Sequence, residues 1–94
     1  MKATYTAVLI PSTAGGCVVE VPALPGCLTE GDTLEEALEM APDAMRGYLA
    51  VLQEDGDVFP RDRREVTVAL GRKREALLRK VTVTLPEEVA RVAY

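Results

Sequence analysis

The stretch from Pro22 to Leu38 leaves the chain little choice of path. Pro22 and Pro25 fix φ and withhold amide donors, so they close off a strand arriving through Val21. Gly26 and Gly31 are read as positions of positive φ where the chain turns. Thr33 and Glu36 then have the spacing of a capping box. The Thr33 hydroxyl would accept the amide of Glu36, and the Glu36 carboxylate would accept the amide of Thr33. An extended segment must therefore pass through a stiff corner into a helix with a defined start.

The helix itself is predicted from about Leu34 to Gln53. Leu34, Ala37, Leu38, Ala41, Met45, Tyr48, Leu49 and Leu52 recur at helical spacing and form one apolar stripe. Glu35, Glu36, Glu39, Asp43, Arg46 and Glu54 lie off it, and the acids of the first turn suit the helix dipole. Pro42 deletes the amide bond to Leu38 at a cost of ~3 kcal/mol, and Gly47 costs ~1 kcal/mol more. The stripe nevertheless keeps its phase from Leu38 to Leu49, which predicts one kinked helix and not two. Gly56 in the C′ role ends it, and Pro60 bars continuation.

Around this helix the pattern switches to strands. Ala3–Ile10 has two fairly apolar faces, as an inner strand does. Pro11–Gly16 is a turn, Cys17–Val21 closes a hairpin, and Cys27–Glu30 is a third short strand. Glu65–Leu70 alternates and is read as the fourth. The order β-β-β-α-β with one long amphipathic helix on an antiparallel sheet is an α+β two-layer sandwich, assigned to residues 1–70. Residues 71–94 read as a basic connector, then a short strand at 80–85, then a helix start.

Ninety-four residues suffice for one core without a disulfide or metal staple. No apolar run is long enough to span a membrane, and the N-terminus lacks the pattern of a signal peptide. Two cysteines, Cys17 and Cys27, fit a reduced cytoplasmic protein, with a disulfide between them the less favoured alternative. The lack of Asn, a single Gln and the excess of Arg over Lys fit a thermophile or a GC-rich genome. The chain has no histidine, which removes the usual general base, the commonest metal ligand and the usual nucleophile pairs. No catalytic residue, metal site or cofactor is therefore expected. Charge is segregated: Glu20 to Asp57 holds ten acids and one base, Arg61 to Lys80 eight bases and three acids. This reads either as two solvated faces or as an acidic docking face beside a basic arm.

The motif from Pro22 to the Glu35-Glu36-Ala37 helix start resembles the core motif of the HicB family, and Glu54–Pro60 resembles its post-helix segment. The likeness runs from about Tyr5 to Pro60 and departs at Ala23, where an acid is common, and at Pro42. It implies a partial RNase H-like fold and the antitoxin of a type II toxin–antitoxin pair, which binds and occludes a small basic HicA-type RNA-cleaving toxin. On that footing Glu30, Asp32, Glu35, Glu36, Glu39 and Asp43 are the candidate toxin contacts. A two-metal nuclease of related fold would need an acid on the first strand, and Thr4–Ile10 has none.

The segment from Lys80 to Tyr94 resembles the opening of a ribbon-helix-helix DNA-binding motif, with Lys80, Thr82 and Thr84 turned to DNA and Val81, Val83 and Leu85 turned inward. Only about two turns of its first helix are present, so intact DNA binding through this motif is disfavoured. The strand instead adds to the sheet or swaps onto a second subunit, and a homodimer or higher homo-oligomer is expected. Two readings stand beside the antitoxin: a DNA-binding autoregulator, and a stand-alone oligomeric module without a toxin.

Overall fold

The computed structural model describes residues 1–12, 15–63 and 75–85. The elements run β1 (Lys2–Pro11), β2 (Cys17–Glu20), β3 (Leu28–Gly31), α1 (Leu34–Asp55) and β4 (Leu77–Thr84). The strands form one antiparallel sheet in the order β3-β2-β1-β4, with α1 packed across one face. This is the α+β sandwich expected from the sequence, and β1 is an inner strand as its two apolar faces require. The strand expected at Glu65–Leu70 and the helix start after Leu85 lie outside the described residues. Leu77–Lys80, read as the end of a connector, is instead the first half of β4. The reason is register: Leu77 to Thr84 pairs residue for residue with Leu9 to Lys2. The pairing continues past the strand ends, where Leu85 donates its amide to the Met1 carbonyl at 2.8 Å.

Tyr5, Ala7 and Leu9 of β1, Val19 of β2 and Val83 of β4 face the helix and are almost wholly buried. Ala37, Ala41, Met45 and Leu49 meet them from α1. The stripe starts with small residues and ends with large ones because the helix begins very close to the sheet. At Gly31 a Cβ would lie 2.5 Å from the Ala37 amide nitrogen and 2.9 Å from the Glu36 carbonyl carbon. Gly31 is thus required by backbone proximity; it is not among the positive-φ glycines, contrary to the sequence reading.

The corner before β3 is two successive reverse turns. Leu24 donates its amide to the Val21 carbonyl and Cys27 to the Leu24 carbonyl, both at 2.9 Å. Each proline occupies the second position of its turn, where its fixed φ belongs, and Gly26 follows Pro25 at φ 87°. The turns carry Val21, Ala23, Leu24 and Cys27 into the core. The helix start matches half of the expected box. Thr33 Oγ1 accepts the Glu36 amide at 3.0 Å, but the Glu36 carboxylate accepts the amide of Asp32, not Thr33. The helix is one continuous element through Pro42. At its end Gly56, at φ 73°, donates to the Gln53 carbonyl and Asp57 donates to the Leu52 carbonyl, a Schellman closure.

After the helix the chain returns as a strap along the N-terminal half of β1, beyond the reach of β2. Tyr5 donates its hydroxyl to the Pro60 carbonyl at 2.6 Å. Asp62 accepts the Thr6 amide at 2.8 Å and the Thr6 hydroxyl at 2.7 Å, and it pairs with Lys80 of β4. Burial pushes the Asp62 carboxyl up, but the Lys80 and Thr6 hydrogen bonds and the Lys80 charge outweigh it and hold it at about 2.

Two predictions follow from the backbone and the strap. Gly31→Ala is expected to cost about 2 kcal/mol or more because neither contacting backbone can retreat. Gly47→Ala, whose Cβ would meet open space, is expected to add about 1 kcal/mol. Urea unfolding of both variants reads the opposite signs. Asp62→Asn is expected to lose about 1–2 kcal/mol at neutral pH. Because the folded carboxyl titrates below its unfolded value, that loss should be full above about pH 4 and fade toward pH 2; a pH series of unfolding curves checks it.

Candidate partner-docking face

The six acids singled out from the sequence are all exposed, but they do not share one face. Glu35, Glu36, Glu39 and Asp43 project from an arc of about 100° on the solvent side of α1, given 100° per residue. Asp32 stands at the corner that feeds this helix. Glu30 points the other way. It pairs in register with Val18, on the sheet face that the helix leaves open. Within the helix group the roles also differ. Glu36 holds the Asp32 amide at 3.1 Å, so it is part of the helix start. Asp43 forms an exposed ion pair with Arg46 at 2.9 Å. Among the described residues Glu30, Asp32, Glu35 and Glu39 make no ion pair.

Acids also crowd the far end of the helix. Glu54 and Asp55 occupy its last turn, which has no basic residue, so they oppose the dipole there. Negative charge therefore marks both ends of α1, and only that of the first turn is explained by helix stability.

The open face of the sheet divides into two halves. Toward one end, polar groups satisfy one another: Lys80 reaches Asp62 and donates to Thr6 Oγ1 at 2.7 Å, and Thr4 and Thr82 share a hydroxyl bond at 2.7 Å. Thr84 lies opposite Lys2. The three residues expected to face DNA are thus on the face opposite the helix, Val81, Val83 and Leu85 belong to the core shared with α1, and two of the three spend polar groups inside the chain. Toward the other end, Leu28 is opposite Glu20 and Val18 is opposite Glu30. Leu28 is 60% exposed, and with Val18, Thr29 and Glu30 it lines a shallow depression at the β3 edge.

Cys17 and Cys27 are buried free thiols, so the alternative of a disulfide between them is not realised. Burial pushes both thiols up and keeps them protonated. No cluster of three or more metal-ligating side chains occurs among the described residues, and no described helix is long and apolar enough to cross a membrane. Two residues of interest escaped the sequence reading. Asp62 was one acid in a basic run, and its partners lie far away in the chain. Leu28 had a signal: with Cys27 turned into the core, strand alternation puts Leu28 on the face opposite the helix.

Comparison with known proteins agrees with this architecture. Residues 5–76 match the family model described as HicB-like antitoxin of bacterial toxin-antitoxin system. The UPF0150 protein Ta0767 of Thermoplasma acidophilum is 43% identical over 65 residues, covering 68% of this chain and 94% of that protein. Antitoxin HicB of Escherichia coli K12 is 36% identical over 56 residues, 60% of this chain and 41% of that protein. Antitoxin HicB 1 of Photorhabdus laumondii is 45% identical, over 60% of this chain and 36% of its own length. The chain thus spans less than half of either named antitoxin. Among solved structures, a toxin–antitoxin complex from Streptococcus pneumoniae contains a chain of the same fold, with a TM-score of 0.72 at 19% identity, over 94% of this chain and 76% of that one. A family match over most of the chain, on the expected sheet and helix, makes this protein a member of the HicB-like antitoxin family.

Proposed function

We propose that the chain is an antitoxin that binds and neutralises a small, basic, HicA-type RNA-cleaving toxin. The observation that carries this reading is the set of exposed acids around the helix start, Asp32, Glu35 and Glu39, which no described residue neutralises, in a chain of this family. A protein that cleaves RNA must attract phosphates, so its working surface is basic. Carboxylates held on a stiff corner and a capped helix compete for that surface at little entropic cost. Neutralisation then needs no chemistry from the antitoxin; it needs only occlusion.

A homodimer belongs to the same proposal, since β4 brings a long strand to one side of the described sheet. A DNA-binding regulator using Lys80, Thr82 and Thr84 has weaker support, because the Lys80 ammonium is already held by Asp62 and Thr6.

The test uses the small basic protein that co-purifies with this chain from its native cells; recovery of the chain alone would also count against the reading. RNA cleavage by that protein should be blocked by one equivalent of the antitoxin and return when the two are separated; cleavage unaffected by the antitoxin would overturn the reading. The double variant Glu35→Lys, Glu39→Lys should slow association about tenfold at low salt while dissociation stays the same. Stopped-flow kinetics across a salt series checks this. Glu36 is left intact in that variant because it holds the helix start.

A further inference from the structure

We infer that the toxin is anchored on the open face of the sheet at the β3 edge, with Leu28 as the apolar contact that sets the residence time. This rests on the antitoxin reading and assigns its docking surface. Of the six acids that the sequence singles out, Glu30 is the one on this face, around the corner from those of the helix.

Leu28 is the most exposed leucine among the described residues, at 60%, and it sits on a strand. Strand geometry holds it rigidly, so little conformational freedom remains to be lost on binding. Beside it, Val18 is half-buried and Glu30 exposed, and the shallow depression between them is open. The register places Leu28 beside Glu20 and Glu30 beside Val18, so apolar and acidic side chains alternate in both directions. Asp32 and Glu35 continue the negative charge past the edge of the sheet toward the helix.

Such a checkerboard defines its occupant. A second copy of this chain, meeting the patch with the same patch, would bring Glu20 and Glu30 against like charge, which costs several kcal/mol. Nucleic acid is excluded by the same sign. A basic protein fits: one apolar side chain enters between Val18 and Leu28 while Lys or Arg residues beside it reach Glu20, Glu30 and Asp32. The arrangement is an apolar anchor inside a charged rim, the pattern in which the anchor governs dissociation and the rim governs encounter.

The probe is the small basic protein that co-purifies with this chain, carrying a substitution that silences its RNA cleavage, with binding kinetics measured on the full-length proteins. Leu28→Ala should raise the dissociation rate about 10- to 100-fold and change association less than threefold. Glu30→Lys should slow association and flatten its salt dependence. Both residues are exposed, and unchanged thermal unfolding confirms that the fold is intact; Val18→Asp supplies a second probe of the same patch. Dissociation unchanged in Leu28→Ala, with toxin binding otherwise normal, overturns this surface and leaves the antitoxin reading standing. A dimer of this chain that is lost in Leu28→Ala while toxin dissociation is unchanged also overturns it, in favour of a second copy. Failure of the unaltered chain to bind the probe overturns both.

Discussion

The contact between Gly31 and the first turn of α1 is the constraint on which the rest of the molecule depends. The end of β3 and the helix meet backbone to backbone, with no side chain between them. Gly16 joins the contact from the other side, where a Cβ would approach the Gly31 carbonyl oxygen to 2.7 Å. Once three backbone segments are fixed this closely, the helix has one height above the sheet. Ala37 and Ala41 then have room for a methyl group each, and Met45 and Leu49 fill the wider space beyond. The paired turns at Pro22–Gly26 serve the same end, delivering β3 at the distance and angle that the close approach requires.

The division of labour between charges follows from this frame. Charges near the helix start are mounted on its stiffest part, and only one of them, Glu36, contributes to holding that part together. Asp62 is the reverse: a carboxylate turned inward, half strut and half strand partner, holding a strap to β1 and β4. Asp32, Glu35 and Glu39, the acids of the proposed contact, are different residues from Asp62, which stabilises the fold, and only Glu36 belongs to both groups. On the proposed reading, substitutions at Asp32, Glu35 and Glu39 test recognition without disturbing the strap that Asp62 holds.

Local physics was legible in the sequence wherever it was decided within a few residues. The capped helix, its passage through Pro42, the Gly56 closure and the inner character of β1 all follow from spacing and backbone chemistry. What escaped was set by contacts distant in the chain. Gly31 looks like any turn glycine until the helix is placed over it. The first half of β4 contains Arg79 and Lys80 and lacks a clean alternation, so only its register with β1 reveals it as strand. The candidate site split for a related reason. Glu30 and Glu35 are close in sequence, yet the corner between them sends one to the open sheet face and the other to the helix. A list of acids in a row cannot show that the chain turns over between them.

The pairing of β1 with β4 joins residues 78 positions apart, as at Thr4 and Thr82. A growing chain thus carries one hydrogen-bonding edge of its first strand, Lys2 to Leu9, unpaired until residues near Thr84 have left the ribosome. Synthesis at about 5–20 residues per second makes that an interval of several seconds. Folding weighted so heavily toward non-local pairing is intrinsically slow, so newly made molecules pass through a window in which proteases can take them before the sheet closes. The step that closes the sheet is therefore the one that joins the two ends of the described chain, and substitutions along the β1–β4 register bear on how fast the fold completes as well as on how stable it is.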